Sequence, residues 1–308
     1  MKIKALFLKQ LLLLMGCIFL FTNTNKAQKN GILPLSGLRF FNEGLSAEAI
    51  NVKIDGAQLL SNRIPLNKEV EIELQQPAGF VFDNNKTFFA GAELIILSPR
   101  GEVLSKIPNL LVNNQTIGFG VANSKKFSIK FTVPNTTTKG NFNGQVRIRL
   151  YDVKSKSQLR MEMPVTFASI GETVNVSRTA KSIKSTPGVQ AVSNGLQVKS
   201  MVVNVDTTIK VAPKMAYTSL VIPDIEGSSI AGIFGGKENF WVYDSDLNEV
   251  KISDILLKQV KGAMESNTVS YTLKIPYRLK TTLAKLYTVR FRWESPDKTQ
   301  VIDVVVNN

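Results

Sequence analysis

The sequence contains no histidine, and its single cysteine, Cys17, lies in the apolar N-terminal segment. Imidazole is the usual general base near neutral pH, and imidazole and thiolate are the usual ligands of transition metals. These absences remove most familiar hydrolase and metalloenzyme chemistry from the rest of the chain. We therefore expect a protein that is not an enzyme, has no cofactor and no metal site, and owes its stability to hydrophobic cores. The least expected alternative is an enzyme that works through Asp, Glu or Lys alone.

The remaining acidic motifs are incomplete. Asp244, Asp246 and Asn248 have the spacing that opens a calcium loop, but Glu249 replaces the required glycine, so a hairpin turn explains them equally well. Glu93 has a counterpart in the second half of the chain, Glu238. Two carboxylates hydrolyse glycosides only from within one cleft, whereas a repeat places one in each domain. We interpret both glutamates as structural.

The N-terminus predicts export. Lys2, Lys4 and Lys9 precede an apolar run at residues 11–21 that is short for a membrane span and typical of a signal peptide, with cleavage after Ala27. The alternative is a lipid anchor at Cys17, because the residues before it resemble a lipobox. Against this, the apolar run continues past Cys17. We expect a periplasmic or cell-surface protein with no transmembrane helix in the mature chain.

The chain is strongly basic. It has 38 Lys and Arg residues against 24 Asp and Glu residues, a formal net charge of +14. This balance favours an anionic partner, either an acidic protein of the cell envelope or an anionic glycan. Nucleic acid is not expected, because export separates the chain from it and no recognition motif is present. The alternative interpretation is a lysine-rich solvated surface with no specific partner.

The two halves of the chain share a sequence pattern. Gly91, Pro134 and Arg147 have counterparts at Gly236, Pro276 and Arg290, in the same order and at nearly constant separation. The matched segments are 89–97 with 234–243, 127–134 with 269–276, and 146–150 with 289–293. Because three matches in one order are hard to obtain by chance, the sequence predicts an internal duplication.

The matched segments alternate apolar and polar residues. Phe127, Ile129 and Phe131 alternate with Ser128 and Lys130, a period of two that is typical of strands with one buried and one solvated face. Turn-forming clusters separate such segments at short intervals. The sequence predicts an all-β protein of two tandem Ig-like antiparallel β-sandwich domains related by internal duplication.

The domain boundaries follow from composition. Residues 169–195 are rich in Ser, Thr and Lys and contain Pro187 and Gly188, which indicates a linker. The predicted organisation is a signal peptide at 1–27, a first sandwich at 28–168, this linker, and a second sandwich at 196–308.

Two arginine pairs are the candidate partner-binding residues. Arg147 and Arg149 lie two apart on one strand, as do Arg290 and Arg292, so each pair shares a strand face. Two guanidinium groups on one face can bind carboxylates, sulfates or phosphates bidentately. The alternative is a cross-strand charge ladder, for example with the glutamates at 69, 71 and 73.

The sequence therefore predicts a non-enzymatic scaffold or interaction protein that binds another protein through sandwich faces or edges. The alternative function is a carbohydrate-binding or adhesin module, which requires an exposed aromatic patch. In the alignment of the two copies, Trp241 and Trp293 correspond to the aliphatic residues Ile96 and Leu150. Aliphatic counterparts favour core positions for both tryptophans.

Overall fold

The structure is a computed structural model. It describes residues 30–114, 116–134, 141–185, 188–198, 236–251 and 288–307, together with the backbone of residues 202–210, 215–222, 225–226, 263–265 and 268–276. The predicted signal peptide, including Cys17, lies outside these residues. In the part of the chain that is described, no helix has the length and apolarity to cross a membrane.

The first domain is an antiparallel sandwich of two sheets. Its strands are β1 (Gly31–Ile32), β2 (Arg39–Glu43), β3 (Ala49–Ile54), β4 (Ala57–Leu59), β5 (Arg63–Pro65), β6 (Glu69–Gln75), β7 (Thr87–Phe88), β8 (Ala90–Leu97), β9 (Val103–Ile107), β10 (Phe119–Gly120), β11 (Lys126–Thr132), β12 (Phe142–Asp152), β13 (Gln158–Ala168) and β14 (Val176–Ser177). Sheet 1 has the order β1-β2-β13-β12-β8-β9, and sheet 2 the order β11-β6-β3-β4-β14. The short β5 pairs with β13 in parallel, and β7 pairs with β10.

The alternating pattern puts one face of each sheet into a common core. Phe127, Ile129 and Phe131 of β11 are buried in a cluster that also receives alternate residues of β12 and β13 from sheet 1. Stacked phenylalanines close one end of this core, with the ring centroids of Phe80 and Phe88 4.4 Å apart. The predicted all-β, Ig-like sandwich architecture is confirmed, and hydrophobic burial is its main stabilising term.

The outer face of sheet 2 carries a ladder of opposite charges. Lys130 contacts Glu69 across the β6–β11 pair at 2.7 Å. Glu73 is almost completely buried between Lys53, at 2.8 Å, and Lys126. Burial alone would raise the pKa of Glu73, but the hydrogen bonds from Lys126 and Lys53 outweigh it and hold the pKa below its ordinary 4.5. The glutamates of β6 are thus paired with lysines.

We expect this ladder to make the protein sensitive to acid. Because folding lowers the pKa of Glu73, its contribution is fully present above pH 4.5 and is lost as the pH falls through the folded-state pKa. Glu73→Gln should lower the free energy of unfolding at pH 7 by about 1 to 3 kcal/mol. In urea denaturation from pH 7 to pH 3, the difference from the wild type should shrink toward acid. A difference that stays constant across this pH range would contradict the lowering of the Glu73 pKa by folding.

The second domain is built from the remaining strands. These are β15 (Lys181–Ser182), β16 (Val189–Asn194), β17 (Gln197–Val198), β18 (Val202–Lys210), β19 (Met215–Ile222), β20 (Ile225–Glu226), β21 (Lys237–Tyr243), β22 (Glu249–Val250), β23 (Ala263–Glu265), β24 (Thr268–Pro276), β25 (Thr288–Glu294) and β26 (Val301–Val306). Sheet 3 has the order β15-β16-β26-β25-β21-β22 and sheet 4 the order β18-β19-β24-β23, while β17 pairs with β20. Phe291, Trp293, Ile302 and Val304 form a core separate from that of the first domain.

Sheet 3 repeats the strand order of sheet 1. The positions of β2, β13, β12 and β8 are taken by β16, β26, β25 and β21, with β1 and β15 at one edge and β9 and β22 at the other. In the other two sheets, the series β3-β6-β11 corresponds to β18-β19-β24. All three matched sequence segments therefore fall on strands in equivalent sheet positions. The duplication itself stays a prediction, which this agreement in strand order supports.

The predicted linker at 169–195 contributes three strands. β14 pairs with β4 of the first domain, whereas β15 and β16 pair within sheet 3. The chain thus passes from one domain to the other between Ser177 and Lys181.

Candidate functional site at the domain interface

The central strands of sheet 3, β25 and β26, are buried on both faces, and the second face packs against the first domain. Every residue of β26 from Val301 to Val306 is buried. Ile302, Val304 and Val306 point into the core of the second domain. Val301 and Val305, on the other face, pack against residues of the first domain. Because successive strand residues point to opposite faces, Asp303 must also lie on the face that meets the first domain.

An Asp303–arginine cluster lies at the centre of this interface. Asp303 is completely buried, and Arg290 donates to it twice, from Nε to Oδ1 at 3.0 Å and from Nη2 to Oδ2 at 2.7 Å. Arg292 Nη1 donates to Oδ2 at 3.1 Å. The register of the β25–β26 pair places Arg292 directly opposite Asp303. One carboxylate is therefore shared by two guanidinium groups.

The same guanidinium groups reach across the interface. Arg290 Nη2 donates to the carbonyl of Leu35 at 3.0 Å, and Arg292 Nη2 donates to the carbonyl of Leu60 at 2.7 Å. Gly37, at φ +68°, allows the 33–38 loop to approach, since a Cβ there would lie 2.4 Å from Nη1 of Arg290. The cluster therefore ties the backbone of the first domain to sheet 3.

Apolar contacts surround the cluster. Ile32 packs with Tyr243, Leu247 and Val305, and a second group joins Leu35 and Leu60 to Val301. Burial raises the pKa of the Tyr243 phenol, so this side chain is neutral at physiological pH. For Arg290, burial acts to lower the pKa, but the negative charge of Asp303 outweighs it and the pKa is raised. Arg290 is therefore always charged, and Asp303 supplies the compensating charge.

The structure gives Arg290 and Arg292 an internal partner. Both were expected to bind a partner outside the chain, but both are buried, and their guanidinium donors are directed to Asp303, Glu294 and the carbonyls of Leu35 and Leu60. At most 9% of either side chain is exposed, and both arginines line the interdomain cleft. Neither guanidinium is therefore presented on an outer sheet face to another protein.

Arg147 and Arg149 lie on the exposed outer face of sheet 1. Arg147 Nε donates to Oε1 of the neighbouring Gln145 at 2.9 Å. Arg149 Nε donates to Glu93 at 3.1 Å, and its guanidinium lies 5.0 Å from the centroid of the Tyr151 ring. The suggested ladder with the glutamates of β6 is not formed by these arginines, because β6 belongs to sheet 2. Both remain candidate partner-binding residues.

The two tryptophans lie in different environments. Trp293 is only 1% exposed and belongs to the core of the second domain. Trp241 pairs with Arg290 across β21 and β25, whereas Arg147 pairs with Ile95 in the first domain. The counterpart of Trp241 is therefore Ile95 and not Ile96. This shift of one residue turns Trp241 to the interface, where it is partly buried 5.0 Å from Arg290.

The acidic motifs have structural roles. Asp244 Oδ1 accepts hydrogen bonds from the backbone N–H groups of Asp246 and Asn248, which forms the turn between β21 and β22. Glu93 lies between Arg149 and Lys106, within 3.4 Å of both. Within the described ranges, no three acidic side chains are placed to share a metal ion.

A polar cleft opens beside the Asp303–arginine cluster. Its volume is about 540 Å³, and residues of both domains line it. The first domain contributes Arg39 and Arg63, and β21 contributes Lys237, Asn239 and Trp241. Sequence reasoning missed this cleft, because its lining comes from segments that are far apart in the chain.

No protein-family model matches the chain, and no curated protein matches its sequence. Among solved structures, the chain is similar to the C-terminal domain of wzt at 10% identity and a TM-score of 0.30, covering 46% of this chain and 84% of that one. It is also similar to the FN1–FN3 domains of chicken CNTN1, at 9% identity and a TM-score of 0.21, covering 84% of this chain and 67% of that one. Likenesses this weak do not indicate what the chain binds.

Proposed function

We propose that this chain is a non-enzymatic, exported interaction protein that binds another protein of the cell envelope through its first domain. The observation that carries the proposal is the outer face of sheet 1. Arg147 is exposed, and among the described residues its guanidinium has no acidic partner within ion-pair distance. A cation held by one neutral neighbour can exchange solvent for a carboxylate of another protein at little cost.

The edge of the same sheet offers a second contact. β9 pairs only with β8 among the described strands, so its outer N–H and C=O groups are open. Val103 is 60% exposed and Leu104 is 37% exposed on this strand. An edge strand with apolar side chains can accept an added strand from a partner. Arg147 and Arg149 are two strands away, close enough for one partner to cover both features.

The net charge of +14 supports an acidic partner. Long-range attraction raises the rate of encounter, and a positive face suppresses binding of other basic proteins. The basic and apolar N-terminal segment supports export, and an exported chain would meet such a partner in the cell envelope.

Charge reversal tests this proposal. The double variant Arg147→Glu/Arg149→Glu should lower the recovery of the partner by about tenfold or more. Each new glutamate would repel a carboxylate of the partner at the interface. The measurement is affinity purification of the tagged chain from its native envelope, followed by quantitative mass spectrometry. Lys86→Glu/Arg178→Glu is the matched control, because it changes the net charge equally at two exposed positions that do not belong to sheet 1. Equal recovery with all three proteins would overturn the proposal.

Of the two tryptophans, only Trp241 could serve the carbohydrate-binding alternative. Trp293 is buried in the core, whereas Trp241 is partly exposed and lines the interdomain cleft. A sugar contact made by a tryptophan would therefore lie in that cleft.

A further inference from the structure

The interdomain cleft has an excess of positive charge that the protein itself does not neutralise. The buried Arg290 and Arg292 are matched by Asp303 and Glu294. Among the described residues, the other cations of the lining are Arg39, Arg63, Lys237 and Lys298, and the one further acid is Glu249. Arg63 also contacts Glu172. The balance favours an anionic ligand.

Neutral polar side chains also line the cleft. They lie beside Arg63, whose guanidinium is held in place by Glu172. Asn62, Asn239 and Thr166 add amide and hydroxyl groups to the lining. Such neutral polar groups recognise sugar hydroxyls as well as anions.

An aromatic ring completes the lining. Trp241 is partly buried in the cleft, and its indole contacts the guanidinium of Arg290. Tyr243 lies beside it, 5.6 Å from the guanidinium carbon of Arg39. An indole next to cations and amides provides both an apolar surface for the C–H face of a sugar ring and charges for its acidic substituent.

We propose that this cleft binds an acidic saccharide, a sugar that carries a carboxylate or a sulfate. The guanidinium of Arg39 provides a planar pair of donors that matches either group. The volume of about 540 Å³ is large enough for one or two sugar rings. This site lies between the domains, apart from the Arg147 and Arg149 face, so it adds a second binding activity to the chain.

Isothermal titration calorimetry of the full mature chain tests the site. The probes are digalacturonate, a sulfated disaccharide, and neutral digalactose. At least one acidic probe should bind with a Kd of about 10 μM to 1 mM, and digalactose at least about tenfold more weakly. Absence of binding by both acidic probes, or equal binding of the neutral sugar, would overturn the proposal.

Variants locate the site. Lys237→Glu/Lys298→Glu changes two exposed cations of the lining and should weaken the acidic sugar by about tenfold or more. Lys86→Glu/Arg100→Glu is the control of equal charge and should bind as the wild type does. Arg147→Glu/Arg149→Glu should also keep sugar binding, which separates this site from the protein-binding face. Unchanged affinity in Lys237→Glu/Lys298→Glu would place the ligand elsewhere and refute the assignment.

Discussion

Replacing Asp303 with alanine is expected to lower the free energy of unfolding by about 3 to 5 kcal/mol. Asp303 is completely buried and accepts three hydrogen bonds from Arg290 and Arg292. Its removal leaves two guanidinium groups charged in an interior with no carboxylate at that position. Since arginine cannot lose its proton at accessible pH, the cluster can relieve this cost only by opening the domain interface to water.

Urea denaturation, followed by circular dichroism, measures the effect. Asp303→Asn keeps the size of the side chain and removes the charge, so it should lose a similar amount. Glu69→Gln is the control, because the Glu69–Lys130 pair is about half exposed on both sides and should contribute less than about 1 kcal/mol. If Asp303→Ala fails to fold, Asp303→Asn provides the comparison. A loss below about 1 kcal/mol in both Asp303 variants would refute the structural role of the cluster.

Trp293→Ala is expected to destabilise the second domain by about 3 to 5 kcal/mol. The indole is only 1% exposed and packs with Phe291, Ile302 and Val304. Gly236 lies against it, since a Cβ at that position would be 2.2 Å from Nε1. The surrounding residues enclose the indole closely, so removal of the ring leaves a cavity in the core.

The two tryptophans allow this loss to be assigned to one region. Trp293→Phe leaves Trp241 as the only indole, so its fluorescence reports the domain interface, whereas Trp241→Phe leaves only the core reporter. Trp241→Ala is the matched control for Trp293→Ala and should cost less, because Trp241 is partly exposed. Equal losses from Trp241→Ala and Trp293→Ala would show that the two sites are not core and interface as described.

The strand pattern of the first domain could be predicted from its sequence. β11 alternates between buried phenylalanine or isoleucine and outward polar residues, and in the structure its Phe127, Ile129 and Phe131 are buried. Such alternation is set by local geometry alone, because each residue faces either the core or water. The order of matched segments likewise indicated which strands are equivalent in the two domains.

The role of the second arginine pair could not be predicted in this way. Arg147 and Arg290 occupy matched positions, yet one is exposed and the other is covered by the first domain. A signal was present in the run Val301–Val306, where alternation fails and five of six residues are valine or isoleucine. A continuous apolar strand indicates burial on both faces, and its one acid, Asp303, then indicates a buried basic partner. The identity of that partner depends on the register of β25 and β26, which the sequence does not specify.

The central claim is that the matched arginine pairs have different roles. Arg147 and Arg149 lie on an exposed sheet face, where Arg149 also contacts Glu93, whereas Arg290 and Arg292 are buried and hold the two domains together. Labelling of the native protein with phenylglyoxal, quantified by peptide mass spectrometry, tests it directly. Arg149 has 48% of its side chain exposed, against 9% for Arg290 and 8% for Arg292. We predict that Arg147 and Arg149 react at least about tenfold faster than Arg290 and Arg292, which become reactive only when the interface opens. Equal rates at all four positions would contradict the account.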